Sequence, residues 1–150
     1  MSGGTGLAAA LALLAGLAGS VQAAVMGRFG ERIGTVEALA WASLLSLGLA
    51  LAVLLVVRRG PGDIADAWSS PRWLWLGAVL GTFIVFTITV VSPRIGTTAT
   101  IALLVAGQLA AGAAIDRYGL FGFERIALSW PRALGIALLA AGAALTLSRT

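Results

Sequence analysis

Two carboxamides and one carboxylate are the side chains here best placed to do chemistry. Gln22 and Gln108 are the only carboxamides, since the chain has no Asn, and each stands in a long uncharged stretch. A carboxamide has two N–H donors and an acceptor oxygen. At membrane depth such a group is costly until it finds a partner, so it either lines a polar cavity and binds a solute or fastens one helix to another. The second role contributes about 0.6 kcal/mol per hydrogen bond in membrane double-mutant cycles. Both roles fit Gln22 and Gln108. Glu37 precedes Trp41 by four positions, which puts the two on one helical face. A carboxylate beside an indole suits a cation, with attraction from the ring face, and a buried carboxylate could exchange substrate for protons. The plainer account makes Glu37 a first-turn acid that complements the helix dipole beside Arg28 or Arg32, with Trp41 a core or lipid anchor.

Other polar residues point to structure more than to chemistry. Asp116 and Arg117 close the Gln108 stretch as a helix-end charge pair and an interface anchor. Thr82 and Thr89 lie seven apart, and Thr97, Thr98 and Thr100 open the next helix. Such hydroxyls can line a pathway, but in helices they commonly bond back to their own backbone.

Whole reaction classes are excluded by what is missing. The chain has no His and no Cys, so the usual catalytic base, thiolate nucleophile and soft metal ligands are absent. No phosphate-binding glycine loop occurs either, so ATP-driven work by this chain alone is not expected. The expectation is a non-enzyme with no cofactor and no metal. Net charge is +4, from ten arginines against six acids, but the arginines sit in short connections and no nucleic-acid motif accompanies them. They read as membrane-edge charges, and no nucleic-acid partner is expected.

The elements that must carry these residues are membrane helices. Hydrophobic residues make up 59% of the chain and charged ones 11%, with mean hydropathy +1.00. A soluble domain has roughly 25% charged residues, so too little charge is present for a dissolved fold. Five apolar stretches, at about 6–27, 35–57, 73–92, 97–115 and 132–148, match the ~20 residues a helix needs to cross a bilayer. The expected fold is an all-α membrane protein of five transmembrane helices in a single domain over 1–150, with the lipid bilayer as its first partner. A secretory leader is rejected for the first stretch, because its first Arg is Arg28 and its apolar run exceeds a leader's core.

Connections are read as short. Arg28 to Gly34 is expected to be a polar turn, with Thr35 as N-cap of the second helix and Glu37 in its first turn. Arg58 to Arg72 is the most loop-like stretch, with one amphipathic turn around Ile64 to Trp68; Trp68, Trp73 and Trp75 suit the headgroup zone. Thr82 to Val91 has strand-like composition, but an isolated strand cannot satisfy its backbone in lipid, so helix is expected. Ser92 to Gly96 is read as a tight turn, and Asp116 to Pro131 as an interfacial or re-entrant link before a short fifth helix, whose Arg132 snorkels. Small residues at Ala8, Ala12, Gly16, Ser20 and Ala24, and the pair Gly77 and Gly81, would let another helix approach closely.

Charge leaves orientation nearly balanced. The side holding the N-terminus takes six arginines (Arg58, Arg59, Arg72, Arg117, Arg125 and Arg132), and the other side takes Arg28, Arg32, Arg94 and Arg149. The positive-inside rule prefers a cytoplasmic N-terminus by two arginines only, so insertion both ways is open. Two opposed copies would then pair about an axis in the membrane plane.

Several motifs in this order carry a resemblance: Leu17–Gln22 followed by Gly27-Arg28, then Gly77–Phe83, Ser92–Gly96, Ala106-Gly107-Gln108 and Ile115–Gly122. Together they cover nearly the whole chain, and it resembles the YdcZ-like family of the drug/metabolite transporter superfamily. It departs from that pattern after Gly27-Arg28, where Phe29-Gly30-Glu31-Arg32 replaces an Asn-rich stretch. The resemblance implies a multi-pass protein of the bacterial inner membrane, with five helices forming half of an inverted-repeat transporter. A lone half needs a partner, most simply a second copy. The expectation is thus a homodimer, antiparallel if dual insertion holds, that moves a small organic solute or cation by alternating access. Gln22 and Gln108 would line the central cavity, with Glu37 and Trp41 nearer one mouth. The alternative is a non-transporting membrane scaffold or assembly subunit.

Overall fold

A computed structural model describes residues 3–147 as a succession of helices. Ser148, expected to end the fifth helix, and Arg149, counted for orientation, lie outside the described residues. The five long helices are α1 (Gly3–Ile33), α2 (Thr35–Arg58), α3 (Leu76–Ile95), α4 (Thr97–Tyr118) and α5 (Trp130–Leu147). All five are long and apolar enough to cross a membrane. The Thr-Ile-Val segment of α3 is helical, as the need for internally satisfied backbone in lipid requires.

α1 is the longest element, at 31 residues. At 1.5 Å per residue it measures about 46 Å, well beyond the ~30 Å hydrocarbon core. The surplus lies partly at its C-terminal end. Arg28 to Ile33 is therefore not the polar turn that composition suggested but the last turns of α1, with Arg28 Nη1 donating to Glu31 Oε2 at 3.0 Å. An (i, i+3) ion pair serves helix and headgroup zone equally well, so charge here does not signal a break.

The breaks are single glycines. The tetrapeptide Arg-Ile-Gly-Thr occurs twice, at 32–35 and 94–97. Each time the helix ends at the Ile, the Gly adopts an extended positive-φ conformation (Gly34 φ 102°, ψ 146°; Gly96 φ 87°, ψ 153°), and the next helix starts at the Thr. That region is essentially closed to residues with a Cβ. The glycine carbonyl is already the first acceptor of the new helix, taking the N–H of Ala38 at 3.0 Å and of Thr100 at 3.1 Å. Gly34, not Thr35, thus holds the cap position, and the expected Ser92 to Gly96 turn shrinks to Gly96 alone, with Pro93 inside α3.

The chain resolves into two compact units, Gln22–Pro93, and Met1–Val21 with Arg94–Thr150. In the first unit the close contact is between the C-terminal ends of α1 and α3. Ala23, Met26 and Gly27 of α1 are buried, as are Ile88, Thr89 and Ser92 of α3. A Cβ on Gly27 would stand 3.3 Å from the Pro93 ring, and one on Gly30 would stand 2.5 Å from the Thr89 methyl. The small residues that pack are therefore Ala23, Gly27 and Gly30. Ala8, Ala12, Gly16 and Ala24 are exposed, and the Cβ positions of Gly16, Gly77 and Gly81 meet nothing within 4 Å. After α2, Arg59 turns the chain in the left-handed region, and two short 3-10 turns follow, Ile64–Trp68 and Arg72–Trp75. Trp68 and Trp75 meet edge to face at 5.4 Å, and Trp75 Nε1 donates to the Ala67 carbonyl.

In the second unit α4 packs along α5. Between them, Gly119 caps α4 in the left-handed conformation, a 3-10 turn covers Leu120–Gly122, and residues 123–129 run without regular structure to Trp130. The Ile126 N–H donates to the Asp116 carbonyl at 2.8 Å and ties this link to the end of α4. Asp116 does not pair with its neighbour Arg117. Its carboxylate accepts from the Arg132 guanidinium in the first turn of α5, and the partly shielded pair staples the two helix ends. Arg132 is therefore held by an ion pair.

Candidate functional site

Each carboxamide stands on a groove inside its own unit. Gln22 lies on α1 at the edge of a groove of about 260 Å³, lined from α2 by Leu39, Ala42, Ser43 and Ser46 and from α3 by Gly81, Thr82 and Val85. The positions 39, 42, 43 and 46 are one helical stripe, so α2 presents a single face to this groove. Gly81 deepens it because no Cβ fills the space. The lining contains no charged side chain.

Gln108 lies on α4 at one end of a groove of about 310 Å³ between α4 and α5. Gln108, Gly112 and Asp116 succeed one another at four-residue spacing, and Arg132, Gly135, Ile136 and Leu139 face them. Gly112 and Gly135 leave the floor open. This groove has a carboxamide at one end, the Asp116–Arg132 pair at the other and an apolar middle.

Glu37 and Trp41 are placed differently. The Glu37 carboxylate folds back over Gly34, where an added Cβ would sit 2.1 Å from Oε2. It joins neither of the two ion pairs among the described residues, since Arg28 pairs with Glu31. Trp41 is 60% exposed and lines a shallow depression of about 220 Å³ with Leu44 and Leu45. The Glu37 side chain is not part of that lining.

The hydroxyls divide into two kinds. Thr82, Thr87, Thr89 and Thr100 each donate to the carbonyl four residues earlier, at 2.8 to 3.0 Å, and Ser20 donates to Gly16 at 3.2 Å. This is the back-bonding that lets a hydroxyl sit in an apolar helix. Ser43 and Ser46 make no such bond among the described residues, and neither does Gln22. Neither serine stands out in the sequence, because a hydroxyl in an apolar helix commonly bonds back to its own backbone. The signal is serine at i and i+3 within the uncharged run 38–57 of α2.

The family described as "Putative inner membrane exporter, YdcZ" matches residues 7–145, from the first turns of α1 to the end of α5. The chain belongs to the YdcZ family. With five helices able to cross a membrane, this chain is a multi-pass protein of the inner membrane in a family of exporters. Neither a curated protein nor a solved structure matches it. Both grooves fall within the span that the YdcZ pattern covers.

Proposed function

We propose that this YdcZ chain is an exporter working as a homodimer, with antiparallel copies, that moves a small organic solute or cation by alternating access. The observation that carries the reading is that both carboxamides stand on open grooves in a chain of an exporter family. An apolar helix has no reason to hold a carboxamide against lipid, so a groove that water or a solute enters accounts for its presence. Exposed helix faces support the dimer. At most 11% of the residues in any span's apolar stretch are buried, which leaves ample surface for a second copy as well as lipid. A solute gradient or protons would drive the cycle, since no phosphate-binding loop serves ATP. In this reading Gln22 and Gln108 contact the solute, while Glu37 and Trp41 stand nearer one mouth.

Flux through purified protein in liposomes tests the proposal, with the protomers cross-linked before extraction to count copies. Gln108→Ala is expected to reduce flux at least tenfold while the protein stays folded, and Glu37→Gln to reduce it less. Flux that survives both substitutions moves the site elsewhere and keeps the function. Absent flux with a different protein stably co-purifying supports the scaffold reading instead.

A further inference from the structure

We infer that the groove of Gln22, Ser43, Ser46 and Thr82 is a binding site for an uncharged solute rich in hydroxyl or amide groups. The inference rests on the transport reading for its purpose and on the groove's own chemistry for its content.

Three side chains hold hydrogen-bonding capacity that nothing else in the described protein uses. Gln22 has two donors and an acceptor, and Ser43 and Ser46 each have a donor and an acceptor. Thr82 adds acceptor capacity only, because its hydrogen is committed to the Ala78 carbonyl at 3.0 Å. Ser20, Thr82, Thr87, Thr89 and Thr100 each take the carbonyl four residues earlier in their own helix, so the same option was open to Ser43 and Ser46. Left unbonded and converging from α1 and α2 on one groove, these groups match a ligand that both donates and accepts.

Charge decides the ligand's class. No Asp, Glu or Arg lines this groove. Glu37, the acid of α2, lies two residues before the stripe begins, but its carboxylate is folded over Gly34 and is not part of the lining. A cation entering here would lose hydration to dipoles alone, with no counter-charge, and an ion so placed at membrane depth is strongly disfavoured. A hydroxyl or neutral amide exchanges water for equivalent partners. The groove volume of about 260 Å³ accommodates one small solute.

The absence of cysteine makes a direct test available. Ser43→Cys, Ser46→Cys and Gly48→Cys are made singly, reconstituted in liposomes and treated with a membrane-impermeant methanethiosulfonate. Gly48 lies on the face of α2 opposite the stripe, where a Cβ meets nothing within 4 Å, and is the control. Labelling of the two serine positions and not of position 48 is expected. Xylitol and N-acetylglycinamide, one offering hydroxyls and the other amides, are then added as protectants beside tetramethylammonium. At least one neutral probe should slow labelling several-fold, and tetramethylammonium should not. Combined with Ser46→Cys, Gln22→Ala should weaken protection about three- to tenfold, as expected for one lost neutral hydrogen bond, and Ser20→Ala should leave it unchanged. Protection by the cation alone, protection by neither neutral probe, or serine positions that do not label would each overturn the inference. Flux measured in parallel separates it from the reading it rests on. Flux with an unlabelled groove keeps transport and moves the site, whereas a protected groove without flux keeps the site and removes transport.

Discussion

Gly30 shows how much of this molecule depends on a missing methylene. Its hypothetical Cβ lies 2.5 Å from the Thr89 methyl, closer than real contacts come, and Thr89 is only 1% exposed. The threonine cannot rotate freely away, since its hydroxyl is fixed to the Val85 carbonyl at 2.8 Å. Gly30→Ala should therefore destabilise by about 1–3 kcal/mol, the usual range for overpacking. Thr89→Ser removes the opposing methyl and keeps the hydroxyl. The double variant Gly30→Ala/Thr89→Ser should recover most of the loss, giving a coupling above about 1 kcal/mol in thermal unfolding in detergent. Equal and additive losses would mean the two residues do not meet. None of this was legible in the sequence. Small residues at four-residue spacing are abundant in α1, and the stripe chosen by periodicity, Ala8 to Ala24, is not the one that packs. Where nearly every face is apolar, periodicity cannot tell the face against protein from the face against lipid.

At the scale of elements the sequence was more informative, because lipid allows few alternatives. Five helices follow from hydropathy and length, and even the strand-like Thr82 to Val91 obeys the rule that backbone in lipid must satisfy itself. Boundaries were less legible. Arg28 to Gly34 and Ser92 to Gly96 look like turns because they contain charge, Gly and Pro, yet helix runs through both to the last Ile. The informative signal was the repeat of Arg-Ile-Gly-Thr, in which only the glycine breaks the helix. Gly96→Ala isolates that requirement, since φ is 87° and a Cβ there meets nothing within 4 Å. Backbone strain alone should lower stability by about 1–3 kcal/mol. Gly77→Ala, whose Cβ position is equally open and which lies in regular helix, should leave the isolated chain unchanged or slightly more stable. Unfolding midpoints of the two variants in one detergent check this. A harmless Gly96→Ala would show that the α3–α4 break relaxes to another conformation.

For the whole molecule the open question is orientation, and charge makes it testable. A bias of six arginines against four gives only weak preference for a cytoplasmic N-terminus. If two inverted copies make one transporter, both orientations must form from one sequence, and small changes in the balance should shift their proportions. Reporters active on opposite sides of the membrane, fused to the C-terminus, are expected to give comparable signals for the natural sequence. Replacing Arg58, Arg59, Arg72 and Arg125 by Ala leaves two arginines against four and reverses the bias, so signal should move towards the form with an external N-terminus. Arg28→Ala with Arg32→Ala leaves six against two and should move it the other way. Each variant should reduce flux if the dimer needs equal numbers of both forms, and mixing the two oppositely biased variants in one membrane should restore it. That restoration is the discriminating result. A parallel dimer gains nothing from mixing oppositely inserted partners, whereas an inverted dimer regains the halves it lacked. Signal confined to one side for the natural sequence, with full flux, would fix a single orientation and require the functional dimer to be parallel.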